Sequence, residues 1–159
     1  MAFLNQKSRA EAVFDTICKA IDAENLKYSP EKEKMIVYLS ARGEDLPINV
    51  LFKVDEEREV LTVYSLLNLE ISDDKKVEFA VAVNAANYAL VNGCFDYNIT
   101  DGTLSYRMAN PFMGCEVTEQ IVKYMLYCTF STVDEYNDRF LALAKGMIDI
   151  QKFIELANS

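Results

Sequence analysis

Histidine and tryptophan are both absent from this chain of 159 residues, and glycine and proline are scarce, at five and three. Without imidazole there is no Ser-His-Asp or Cys-His relay and no His-ligated metal site. The glycines, at 43, 93, 102, 114 and 146, never come closer than nine residues, so no glycine-rich loop exists to cradle a phosphate. Four cysteines, Cys18, Cys94, Cys115 and Cys128, lie far apart and form no C-x-x-C pair. Of a metal or redox site and small buried hydrophobes in a reducing compartment, the second is expected. No metal, cofactor or catalytic residue is therefore expected.

Basic clusters are also missing. Lys and Arg number 16 against 25 Asp and Glu, a formal net charge of −9, which argues against nucleic-acid binding because phosphate neutralisation needs cations in numbers. The longest uncharged run, residues 79–95, has 17 members and includes Asn84, Asn87 and Asn92, too short and too polar for a membrane span. The first residues hold no apolar leader core, so a cytoplasmic location is expected and the Asn98-Ile99-Thr100 sequon carries no weight.

What is present is punctuated apolar sequence. Charge runs at 30–34, 55–59 and 73–76 separate apolar stretches and read as solvated turns or element ends. With no Pro/Gly/Ser linker, repeat or low-complexity tract, residues 1–159 are expected to form one domain. A first helix is predicted over about residues 8–24. Ser8 and Glu11 make an S-x-x-E capping box, the stripe Val13, Phe14, Ile17, Cys18, Ile21 follows, and Asn25 supplies a left-handed stop. Three strands follow, at 35–40, 48–55 and 60–66; in the second, Ile48, Val50, Phe52 and Val54 alternate with Asn49, Leu51, Lys53 and Asp55. A second helix spans about 73–91, capped by Ser72 and ended by Asn92-Gly93. Strands at 94–99 and 104–109 join through Asp101-Gly102, a hairpin signal. Two helices close the chain, near 116–130 and 133–157, the latter opened by a Thr132/Glu135 capping box. Hairpin-linked strands in blocks, with helices between the blocks, make this an α+β pattern.

The second helix is apolar on two opposed faces. Val77, Val81 and Tyr88 share one, and Phe79, Val83, Ala86 and Leu90 the other. A helix on one sheet needs a single apolar face, so the other is covered either by the C-terminal helices or by another copy of the chain. Phe79, Val83, Ala86 and Leu90 are the expected contact across a dimer axis. In the last helix Tyr136, Phe140, Leu143, Met147, Ile150 and Ile154 recur at spacings 4-3-4-3-4. They fit a long helix packed on the core or a partner-binding seam, for which Tyr136, Phe140, Leu143 and Met147 are the candidates. Residues 96–102 resemble a calcium loop only superficially: Gly102 falls seventh and Arg107 twelfth, so the segment reads as a hairpin turn. Acids such as Asp55, Glu56 and Glu57 sit at a turn and read as solvated charge. Asn84 and Asn87 are expected to hydrogen-bond a strand edge or each other.

Further residues carry a resemblance. Val50-Leu51-Phe52-Lys53-Val54-Asp55-Glu56-Glu57 is followed by Leu61 and Ser65 in the next strand, and Asn84-x-x-Asn87-Tyr88 and Gly93-x-Phe95 close the second helix. Asp101-Gly102-x-Leu104-x-Tyr106-Arg107 and Asp134-x-Tyr136 come next. Over about residues 5–150 the chain resembles the YbjN-domain family, which looks like the type III secretion chaperone fold. Leu66-Leu67-Asn68 stands where that family often has a proline, so the connection into the second helix is expected to differ. The resemblance implies an α-βββ-α-ββ-α(α) domain with a twisted five-stranded antiparallel sheet and helices packed on it. It further implies no enzymatic activity and a role as chaperone or as sensory or stress regulator. The chaperone relatives are acidic homodimers that hold a segment of a secreted protein, commonly pairing through the middle helix.

The function expected is thus a non-enzymatic homodimer that captures a segment of a protein partner yet to be identified, with no nucleic acid or membrane involved. A second reading is a small-molecule carrier or sensor, its pocket between sheet and C-terminal helices, with Tyr97, Tyr106, Tyr124 and Tyr127 as candidate lining.

Overall fold

The computed structural model describes residues 8–44 and 46–159; the reading of the first seven residues as lacking a leader lies outside them. Helix α1 (Arg9–Ala23) begins where its capping box stands: Glu11 N donates to Ser8 Oγ at 3.2 Å and Ser8 N to Glu11 Oε2 at 3.1 Å. Val13, Phe14, Ile17 and Ile21 are buried on one face, and Asn25, at φ +55°, turns the chain out of the helix.

Six strands follow among the described residues, not five. β1 (Tyr28–Glu31) precedes β2 (Ile36–Arg42), β3 (Pro47–Asp55) and β4 (Val60–Leu67); β5 (Cys94–Asn98) and β6 (Thr103–Pro111) complete one antiparallel sheet of order β1-β2-β3-β4-β6-β5. The additional strand falls where residues 30–34 read as a plain turn. β1 is four residues long and contains Pro30, so it carries no alternation of its own and is a strand by virtue of its pairing with β2. A 3₁₀ turn at Lys32–Lys34 and Met35 at φ +55° then reverse the chain.

Among the described residues the first three helices pack on one face of this sheet, and the fourth packs on the second and third. Val37, Leu39, Ile48, Val50, Phe52, Val54, Leu61, Val63, Leu104 and Tyr106 point into that face and are buried. α2 (Lys76–Ala89) starts after a 3₁₀ turn, Asp73–Lys75, and the Ser72 side chain makes no capping bond, contrary to expectation. α3 (Glu119–Ala144) is one continuous helix of 26 residues, capped by Thr118 Oγ1, which accepts from Ile121 N at 3.3 Å. The break expected at Thr132 is absent because Thr132 is buried inside α3, between Thr129 and Val133, which also face the core. The chain breaks instead at 145–149, where Gly146 adopts φ +68° and Asp149 Oδ1 accepts from Lys152 N at 2.8 Å to open α4 (Ile150–Ala157).

An aromatic cluster welds the elements together. Phe140 of α3 lies 6.0 Å from Phe79 of α2, 5.2 Å from Phe95 of β5 and 5.0 Å from Phe153 of α4, ring centre to ring centre. Among the described residues no helix is long and apolar enough to cross a membrane.

Candidate partner-binding surfaces

The two apolar faces of α2 have opposite fates. Phe79, Ala82, Val83 and Ala86 are buried within the chain, and Leu90 packs against the same core, under α3, α4 and β5. The residues expected to meet a second copy are thus covered by the C-terminal helices. Small Ala82 and Ala86 let the neighbouring elements approach, and Phe79 fills the space between them. Val77, Val81 and Tyr88 form the open face, with Val91 just beyond the helix; Tyr88 is 87% exposed and Val91 94%. From Phe79 to Phe95 no charged residue interrupts this surface.

The 4-3-4 stripe near the C-terminus divides in the same way. Tyr136, Phe140 and Leu143 are buried in the core and cannot form a partner seam. Met147 is exposed, but it sits in the break between α3 and α4 and not on a continuous helix. The spacing belonged to a core-facing helix, followed by a turn that kept its phase by coincidence.

A second open surface was not singled out from the sequence. Among the described residues no helix covers the far face of the sheet, where the cross-strand register aligns Tyr38, Leu51, Tyr64 and Arg107 on four neighbouring strands, with Cys94 at the end of the row. Ile36, Lys53, Thr62 and Ala109 form the next row. Leu66 is 51% exposed and Tyr38 39%, whereas Leu51 and Tyr64 are half-buried by their neighbours in the sheet. The available signal was β4 itself: Val60–Leu67 carries no charge, although a strand with one wet face ordinarily alternates.

At the β5 end of the row, Arg107 Nε donates to Asp96 Oδ2 at 2.5 Å and Arg107 Nη2 to Asp96 Oδ1 at 3.1 Å. The guanidinium holds the Asp96 carboxyl below its ordinary range. Burial, then the Asp96 charge, pushes the adjacent Cys94 thiol up, so it stays protonated. Among the described residues no cluster of His, Cys, Asp and Glu has the geometry to hold a metal ion.

The edges of the sheet are blunted. Phe95 N donates to Asn87 Oδ1 at 2.7 Å, and Asn87 Nδ2 donates to Phe95 O at 2.9 Å, so a side chain of α2 occupies the outer edge of β5. Asn87 thus meets a strand edge as expected, while Asn84 is exposed. At the opposite edge β1 carries Pro30, which has no N–H to offer.

The four tyrosines considered as a pocket lining do not converge. Tyr106 is buried, donating its hydroxyl to Asn92 O at 2.9 Å, and Tyr97 is half-buried beside Phe79. Tyr124 and Tyr127 lie outside on α3, bonded to Asn92 and Glu24 respectively. Between the sheet and α3 the space is filled by Phe95, Tyr136 and Phe140. A groove of about 540 Å³ does exist, but elsewhere, between α1 and residues 114–119.

The model of the YbjN family, described as "Putative bacterial sensory transduction regulator", matches residues 14–142. No curated protein matches the chain. Among solved structures, the crystal structure of YbjN from E. coli superposes with a TM-score of 0.59 at 10% identity, over 84% of this chain and 92% of that one. A chain in the structure of the HopA1-SchA chaperone-effector complex superposes with a TM-score of 0.56 at 9% identity, over 81% of this chain and 95% of the other. At these identities the likeness is one of fold.

Proposed function

The chain belongs to the YbjN family, and from that premise we propose that it is a non-enzymatic protein-binding module, chaperone-like or regulatory, that works in the cytoplasm as a homodimer and captures a segment of a partner protein. The observation that carries this reading is the open face of α2, where Val77, Val81, Tyr88 and Val91 stand exposed on a surface free of charge from residue 79 to 95. A monomer that presented these residues to water would gain nothing from them, whereas covering them releases apolar surface at roughly 25 cal/mol per Å². A second copy fits best, because two chains of net charge −9 repel each other least where neither carries charge. The fold shared with the chaperone-effector complex supports capture of a further protein.

Crosslinking mass spectrometry on the full chain in a lysate of its source tests the reading. One recurrent protein partner, together with self-crosslinks, is the expected result. Self-crosslinks alone would count against capture, and their absence against the homodimer.

A further inference from the structure

We propose that Asn92-Gly93 is a site at which the chain modifies itself: the asparagine deamidates through a cyclic imide, and the carboxylate so formed weakens the contact made by the open face of α2. The effect on the contact rests on the homodimer reading above; the modification does not.

The reaction needs an exposed carboxamide, a backbone outside regular structure and an unhindered amide nitrogen next along the chain. Of the asparagines in the sequence, Asn92 is the one followed by glycine. Both residues are exposed and lie between α2 and β5, within neither. Gly93 has no side chain to shield its nitrogen, and among the described residues its N–H donates to no partner. The fold also holds glycine in place there: φ is +71°, and a Cβ would run into the Tyr106 hydroxyl. Neighbouring asparagines are restrained. Asn84 and Asn87 are helical, Asn87 is spent on the backbone of Phe95, and Asn98 ends β5 with its carboxamide bonded to Asp101 and Thr100.

In the step itself Gly93 N bonds to Asn92 Cγ, and Nδ2 leaves as ammonia, taking up the Gly93 amide proton. Water then opens the imide at either carbonyl. Cleavage at Cγ gives aspartate; cleavage at the original peptide carbon gives isoaspartate, with the chain running through Cγ. Asn92 Nδ2 donates to Tyr124 Oη, but Tyr124 is itself exposed, so water competes for that bond and releases the carboxamide. Either product puts a negative charge into the run 79–95, which carries none, directly after Val91 at the edge of the open face. Lys123, beside Tyr124 in the chain, is already engaged by Glu24 at 2.8 Å. Two copies joined through α2 therefore acquire like charge beside their contact.

The test ages the full chain for several weeks at physiological temperature and pH and maps it by mass spectrometry. Cleavage after Lys76 and Arg107 releases one fragment, residues 77–107, that holds Asn84, Asn87, Asn92 and Asn98 together for comparison. A gain of roughly 1 Da should localise to residue 92, as a mixture of aspartate and isoaspartate. It should form about tenfold or more faster there than at Asn84 or Asn87. No conversion at residue 92, or equal conversion at all four, would overturn the site. Sedimentation over a range of concentrations reads the effect. Aged wild type and fresh Asn92→Asp should self-associate about tenfold more weakly than fresh wild type, and Asn92→Gln, whose longer side chain cannot close the five-membered ring, should match fresh wild type before and after ageing. Circular dichroism checks that Asn92→Asp is folded, and the aged wild type gives the same answer without any substitution. Unchanged association in both would overturn the effect on the contact. Fresh wild type that is monomeric throughout would instead overturn the homodimer reading and the effect with it, while the mass map still decides the modification.

Discussion

The carboxamide of Asn87 pairs with the backbone of Phe95 as a neighbouring strand would, its Oδ1 accepting from the amide at 2.7 Å and its Nδ2 donating to the carbonyl at 2.9 Å. Helix α2 is thereby fastened to β5, and the last strand of the sheet is closed to further pairing. Asn87→Ala leaves both backbone groups without these partners and is expected to cost about 1–3 kcal/mol. It also frees an edge for association. A urea midpoint lowered to match, with a rise in aggregation on dilution from denaturant, is the expected outcome; an unchanged midpoint would mean that water replaces the amide without loss.

Gly93 and Gly114 both have positive φ, at 71° and 69°, but only one is crowded. A Cβ on Gly93 would run into the ring and hydroxyl of Tyr106, which is held by Asn92 O; around Gly114 nothing lies within 4 Å. Gly114→Ala should cost only the left-handed penalty, about 1 kcal/mol, and Gly93→Ala clearly more. Thermal unfolding of the two variants side by side measures the difference.

The faces of α2 respond oppositely to charge. Val83 is 6% exposed, so Val83→Asp buries an unpaired carboxylate at a cost of several kcal/mol, a large part of the stability of an ordinary domain. Tyr88→Asp with Val81→Asp alters only the open face and should give a folded monomer by light scattering and circular dichroism. A folded dimer in the Tyr88 variant would remove α2 from the interface.

Stability should be flat through neutral pH and fall at both ends. On the acid side Asp96, held low by Arg107, and Glu24, held low by Lys123 and then Tyr127, have folded pKa values below their unfolded ones. Their contribution is present above the unfolded carboxylate range and is lost as pH drops through the folded values, below about pH 4. On the alkaline side burial raises Cys18, Cys94 and Tyr106, and Tyr28 to about 12. Those groups ionise first in the unfolded chain, so stability declines above about pH 9. Without histidine the chain has no imidazole to titrate near neutral pH. Denaturant midpoints from pH 3 to 11 trace the curve, and a step near pH 6.5 would contradict it.

Local chemistry was readable residue by residue. The Ser8/Glu11 box, the left-handed Asn25, the alternation through β3 and the Asp101-Gly102 turn each act within a few positions of the chain, and each stands where it was expected. The limits follow from the same cause. Thr132-x-x-Glu135 repeats the Ser8-x-x-Glu11 motif, yet it lies inside α3, because core neighbours on both sides of Thr132 hold the backbone helical. β1 has no pattern of its own and exists because β2 offers it partners.

By itself the sequence determined the α+β class and the order of every element but β1, the missing imidazole and phosphate-loop chemistry, and a middle helix with two apolar faces. Only the tertiary structure decided which face went inside. Periodicity gives the two faces equal standing; in the fold Phe79 packs against Phe140 and Tyr97 and is buried, while Val81 and Tyr88 stay exposed. The open sheet face was likewise beyond reach of the sequence. Tyr38, Leu51, Tyr64 and Arg107 are scattered over some seventy residues and become one surface only through strand register, a property of pairing between distant segments and not of any one of them.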